Sequence, residues 1–218
     1  MVKITRLVPN PGTAASAPLA DILPMGCMSV MMIELDERSA WNSAKCLALI
    51  GPGGAGKSSL GIELAPLLER SLIDLDIEFN RRMGDISAYI HNNGHGKYKL
   101  ANSNLARNIV DEMVAPSVLV TSSGFLTLDN PPQALDANRR LVASSYSVCL
   151  LPSRDLERAV SIILERQLAR PFSGGPTKEE ARIRDRYPIY AGLGDLIVFS
   201  ITSSAEIARA VTRQLSEN

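Results

Sequence analysis

Short runs with no polar face alternate with longer stretches of helical period through most of the chain. KCLALI over Lys45–Ile50 and YSVCLL over Tyr146–Leu151 are apolar on both sides, as in strands covered above and below. Lys57–Glu69 sets Leu60, Leu64, Leu67 and Leu68 at helical spacing, which predicts a helix after the first strand. Leu72–Leu75 reads as a second strand, followed by a polar helix over Ile77–Ile90, a glycine-marked turn NNGHG, and a helix over Asn102–Val114. Val118–Thr121 forms a third strand, entered after Pro116 and left through Ser122, Ser123 and Gly124. Beyond the fourth strand, a helix over Arg154–Leu168 leads into a mobile segment, ARPFSGGPTKEEA, and then a helix, a strand at Leu196–Ile201 and a helix at Ala205–Leu215. Strands alternating with helices predict an α/β fold: a five-stranded parallel sheet with helices on both faces.

Composition narrows this picture. A chain of 218 residues, 45% hydrophobic and 21% charged, fits one catalytic domain, read here as residues 46–218. Residues 1–45 read as a flexible extension, with Pro9, Pro11, Pro18 and Pro24 among small residues and a Met-rich stretch from Met25 to Met32. Asp21 and the lack of a basic segment joined to an apolar run argue against a signal peptide or a membrane span. Twenty-three basic and twenty-three acidic residues cancel, so nucleic acid and anionic membranes are not expected partners. Cys27, Cys46 and Cys149 are odd in number and far apart, which excludes a disulfide framework. His91 and His95 lack the partners of a zinc site. The expectation is a cytoplasmic protein, monomeric or weakly oligomeric.

The strongest chemical signal is GPGGAGKS, Gly51–Ser58, an uninterrupted G-x-x-x-x-G-K-[ST] run between a strand and a helix. Glycines there let successive N–H groups converge on phosphates, and the helix N-terminus adds its positive dipole end. The expected ligand is ATP with Mg²⁺, held by Gly51, Gly53, Gly54, Ala55, Gly56, Lys57, Ser58 and Ser59. Lys57 reaches the β- and γ-phosphates, and Ser58 takes the metal. Asp74 and Asp76 follow at the end of the second strand, where open α/β sheets place ligand groups. Asp74 is expected to serve the metal, and Asp76 to orient an acceptor hydroxyl or take its proton. Asp76 also reads as the cap of the helix it opens.

This arrangement resembles the shikimate kinases, over roughly Cys46–Leu215. The resemblance implies a three-layer P-loop kinase fold with a mobile lid, in which a DxD pair, a substrate-domain motif and a lid follow the phosphate loop in that order. DLD at Asp74–Asp76 stands for the family's DSD, and Gly84 follows at the family's spacing. GHGKYK at Gly94–Lys99 stands for GExxFR, so Lys99 replaces the arginine that grips the substrate carboxylate; the same run also reads as a solvated loop. Ser122, Ser123 and Gly124 stand for a glycine triplet, leaving Ser123 and Gly124 as substrate contacts. Arg170 in ARPF is similar to the lid arginine, a catalytic residue beside Lys57 and Asp76. Arg186 in RYPIY is similar to the second substrate arginine. Trp41, Arg81 and Arg82 read as packing and helix surface.

The leading expectation is transfer of the γ-phosphoryl group to a hydroxyl of a small, carboxylate-bearing acceptor, with shikimate the nearest candidate. A kinase of sugar acids or nucleoside monophosphates, and a nucleotide sensor without transfer, are the alternatives. Lys57, Ser58, Asp74, Asp76 and Arg170 standing together favour chemistry over sensing.

Overall fold

The computed structural model describes residues 2–5, 33–169 and 175–217. Its centre is a parallel sheet of β3 (Cys46–Ile50), β4 (Ser71–Asp74), β5 (Ser117–Val120), β6 (Tyr146–Leu151) and β7 (Leu196–Phe199). β3, β5, β6 and β7 are buried along their whole length, which is why their sequences carry no polar face. Side chains alternate between two cores. Cys46, Ala48 and Ile50 face one cluster; Leu47 and Leu49 face the other.

Helices α1 (Lys57–Leu67) and α8 (Ser204–Ser216) cover one face through Leu60, Leu64, Ile207 and Val211. The opposite face carries α2 (Leu75–Met83), α4 (His95–Asp111), α5 (Pro132–Ala143) and α7 (Pro176–Ala191), which contribute Phe79, Leu105, Leu141 and Tyr190. α3 (Ile86–Asn93) packs beside α4, and α6 (Leu156–Leu168) joins α7 through Val160, Ile163 and Ile183. The expected five-stranded parallel sheet with helices on both faces is therefore present.

It is longer than expected. The sheet has seven strands in the order β1-β2-β7-β6-β3-β5-β4, because β2 (Ile33–Glu37) runs antiparallel to β7 and β1 (Val2–Thr5) antiparallel to β2. Residues 2–5 and 33–37 thus belong to the sheet and not to a flexible extension. Ile33 and Leu35 turn inward while Glu34 and Asp36 turn out to meet Arg154, which stacks on Phe199. Of the expected extension, residue 1 and residues 6–32, with Cys27, lie outside the described residues.

Three local readings change. The helix expected over Ile77–Ile90 is two helices, parted at Gly84 (φ 87°), with Asp85 capping α3 through the Ala88 N–H. NNGHG is a helix junction: Gly94 (φ 82°) caps the end of α3 and the start of α4, so His95–Lys99 is the first part of a helix and not a loop. Residues 176–191 of the expected lid region and beyond form α7, whereas Arg170 and residues 171–174 lie outside the described residues. Among the described residues no helix is long and apolar enough to cross a membrane, no group of three or more His, Cys, Asp or Glu could hold a metal, and Cys46 and Cys149 are free thiols. Trp41 packs edge-on against Tyr146 under Arg70, and Arg81 and Arg82 pair with Glu78 on the helix surface.

Candidate active site

β3 lies between β5 and β6; from β3 the chain runs on to β4 on one side and from β6 to β7 on the other, so a crevice opens beyond their carboxyl ends. The loop Gly51–Ser58 fills that position. Gly54 (φ 80°) and Gly56 (φ 103°) adopt the left-handed conformation that only glycine takes without strain. A Cβ on Gly53 would stand 2.4 Å from the Gln167 amide and 3.3 Å from Ser123 Cβ, so the loop fits close under both. Gly56 caps α1 with no side-chain acceptor and no acidic residue follows in the first turn, leaving the helix N–H groups to an anion. Lys57 is buried and donates to the Gly51 and Pro52 carbonyls at 2.8 and 3.0 Å. A cavity of about 250 Å³ lined by Gly53, Gly54, Gly56, Lys57, Ser58 and Ser59 has the shape and chemistry for a phosphate chain. Across the loop a second cavity of about 310 Å³ runs past Arg166, Ser200 and Thr202.

The aspartate pair is divided in its work. Asp74 is the helix cap, its Oδ1 accepting from the Asp76 and Ile77 N–H groups at 3.0 and 3.3 Å. The cap expected at Asp76 is thus two residues earlier, because β4 ends at Asp74 and α2 begins at Leu75. The other Asp74 oxygen accepts the Ser58 hydroxyl at 2.7 Å, which joins the two residues expected at the metal. Asp76 stands in the first turn of α2 and accepts a hydrogen bond from Ser122.

Beside the phosphate cavity lies one of about 630 Å³ lined by Asp76, Lys99, Ser123, Gly124 and Arg186 among others. All five residues expected at the acceptor are therefore brought together. The serines in place of glycines each hold a charged neighbour: Ser122 donates to Asp76, and Ser123 Oγ accepts from Arg186 at 3.4 Å. Gly124 lies against the Arg186 guanidinium, which a Cβ there would meet at 3.4 Å, an ordinary contact distance. Burial, foremost, lowers the Arg186 pKa, with Tyr190 and Asp129 opposing and the charge of Arg182 adding to the fall.

Three lining residues carry no motif. Asp129 binds Lys99 at 2.6 Å, and its backbone oxygen accepts from the same ammonium at 2.8 Å. Burial pushes the Asp129 carboxyl up, but hydrogen bonds from Lys99 and Thr127 and the charges of Lys99 and Arg186 outweigh it and hold it below its ordinary value. Asn102, buried, donates from Nδ2 to Ser122 Oγ at 3.0 Å. Ser122 has one proton and gives it to Asp76, so the amide orientation is fixed and Asn102 Oδ1 is left without a partner. Such an orphaned carbonyl costs about 1–3 kcal/mol. Arg182 is the third, held from Nη1 by both oxygens of Glu179 at 2.9 and 3.0 Å. Nearby, burial and then the charge of Asp76 push the Tyr98 phenol up to about 12.

Comparison with known proteins shows the family. A family model described as shikimate kinase matches residues 53–216. A shikimate kinase of Alteromonas mediterranea is 30% identical over 172 residues, covering 77% of this chain and 92% of that protein. One of Halorhodospira halophila is 27% identical over 184 residues, covering 81% and 94%. Among solved structures, a shikimate kinase from Acinetobacter baumannii in complex with shikimate shares the fold, with a TM-score of 0.66 at 21% identity over 82% of this chain and 96% of that one.

Proposed function

Because this chain belongs to the shikimate kinase family, we propose that it moves the γ-phosphoryl group of Mg²⁺-bound ATP to a hydroxyl of a small carboxylate-bearing acceptor, with shikimate the nearest candidate. One observation carries the reading: the phosphate-loop cavity and the acceptor cavity share Asp76, Ser123 and Arg182, so a donor and an acceptor would meet at the Asp76 carboxylate.

Bound Mg-ATP supplies the phosphoryl group and the charge that stabilises its departure. The loop from Gly51 to Ser59 holds the phosphates. Lys57, released from the Gly51 and Pro52 carbonyls, turns to the β- and γ-oxygens. Ser58 and Asp74, hydrogen-bonded to each other, would hold Mg²⁺, which would bring positive charge to the phosphates. Asp76, already accepting a hydrogen bond from Ser122, orients the acceptor hydroxyl and takes its proton. Arg186 grips the acceptor carboxylate with Ser123 and Gly124 alongside, and Lys99 assists once it parts from Asp129. Arg170 closes the phosphates in this reading. The buried free thiols of Cys46 and Cys149 support a reducing, cytoplasmic setting.

The test is transfer from ATP to shikimate, gluconate and AMP by the wild-type chain and by Lys57→Ala. Transfer to shikimate is expected, with a fall of about 10²–10³-fold in the variant. Strong transfer to gluconate or AMP with none to shikimate would sink the acceptor assignment. Mg-ATP binding without transfer to any acceptor would sink the enzymatic reading.

A further inference from the structure

Arg170 and Arg186 are the arginines that sequence resemblance draws to the site, but the two cavities have another cation where they join. Arg182 stands four residues before Arg186 on α7, hence on the same helical face. It lines the phosphate cavity with Lys57, Ser58 and Asp76, and also the acceptor cavity with Lys99 and Arg186. Of the three described residues common to both cavities, it alone is positively charged.

Its geometry suits an oxyanion. Both hydrogen bonds to Glu179 come from Nη1, so Nε and Nη2 keep donors not spent on that carboxylate. Glu179 is 5% exposed, and a buried carboxylate gripping one end of the fork fixes a side chain that is itself half-exposed. Two arginines at this spacing repel when nothing lies between them. That repulsion turns to advantage when an anion enters, and the phosphate loop delivers one at the shared edge.

We propose that Arg182 contacts the γ-phosphoryl group of a bound nucleoside triphosphate and offsets the charge that spreads over its oxygens during transfer. The inference rests on the kinase reading above. In the transfer, the acceptor oxygen gains the P–O bond that the β,γ-bridging oxygen loses, the hydroxyl proton passes to Asp76, and the nucleoside diphosphate keeps the freed electron pair. Arg182 exchanges no atom; it holds the moving group at the junction of the cavities.

The experiment compares binding of Mg-AMPPNP and Mg-ADP, since only the first carries a γ-phosphoryl group to the junction. Arg182→Met is expected to weaken Mg-AMPPNP about tenfold and Mg-ADP less than about twofold, with Arg182→Lys recovering part of the loss. In turnover, kcat should fall about 100-fold while acceptor KM stays within about threefold. Because Arg182→Met takes a positive charge from beside the Glu179 carboxylate, the double variant Arg182→Met/Glu179→Gln repeats the measurement with that negative charge removed as well. Equal weakening of both nucleotides, no weakening of either, or a loss confined to acceptor KM overturns the proposal. A wild-type chain that binds neither nucleotide overturns the kinase reading and takes this inference with it.

Discussion

Replacing Asp74 once by asparagine and once by alanine separates two tasks that one carboxylate performs. Its Oδ1 caps α2 through two backbone N–H groups, at 3.0 and 3.3 Å, and its Oδ2 takes the Ser58 hydroxyl at 2.7 Å. Removing the cap costs about 1 kcal/mol, and losing the Ser58 bond adds about 0.5–1 kcal/mol, since water reaches that hydroxyl. Asp74→Ala should therefore lose about 1.5–2 kcal/mol. At about 2–4 °C per kcal/mol for a domain of this size, its Tm falls by about 3–8 °C. Asparagine caps as well as aspartate, so Asp74→Asn should melt within about 2 °C of wild type. It lacks the negative charge that a Mg²⁺ ligand supplies, and Mg-ATP affinity should drop about tenfold or more. Scanning calorimetry of the free protein reads the first task, and Mg²⁺ titration at fixed ATP reads the second. Asp74→Asn melting as low as Asp74→Ala would refute the cap; unchanged Mg-ATP affinity in Asp74→Asn would refute the metal role. The two results fail independently.

Asp129→Asn removes the charge partner of Lys99 and leaves its bond to the residue 129 backbone oxygen, and because the Asp129 side chain is 60% exposed the gain is screened to about 0.5–1 kcal/mol. KM for a carboxylate acceptor should fall about two- to fivefold; Lys99→Arg in the same background should lower it further, and no gain with shikimate in either would count against that acceptor. The depressed Asp129 pKa contributes stability that is present above the ordinary value of 3.8 and is lost as the pH falls through the lower folded value. Melting curves of wild type and Asp129→Asn should accordingly differ at neutral pH and converge in strong acid. Gly61→Ala gains helix propensity of about 1 kcal/mol, but its Cβ would lie 2.7 Å from Val120 and 2.9 Å from Leu72. A net loss of stability is expected by calorimetry, and a rise in Tm would show that the contact relaxes freely.

The parallel strands are legible because burial on both faces removes polar positions from them, and the phosphate loop because its glycines have a fixed task. β2 escapes the same reading: IELDE spans five residues, one inward face only, directly after a Met-rich run. α5 is hidden by the two prolines that open it, although proline at a first helical position is favourable. Gly94 signals a break without saying whether a loop or another helix follows. Arg186 is marked by RYPIY, whereas Arg182, in the neighbouring RIRDR, is set apart from Arg184 only by the face of α7 it occupies; Arg184 pairs with Glu157 and Glu180. Asn102 has no sequence signal at all, since its place depends on Ser122 being spent on Asp76.

The contacts around Lys57, Ser58, Lys99 and Arg186 have a thermodynamic consequence. Each already holds a partner within the chain: backbone carbonyls for Lys57, Asp74 for Ser58, Asp129 for Lys99 and Ser123 for Arg186. A ligand entering here swaps partners more than it adds them, so the tally of hydrogen bonds stays nearly level and the heat released is small. Selection then falls on how well a molecule replaces what it displaces. One that pulls Lys99 from Asp129 and leaves either charge bare is rejected, even where its shape fits.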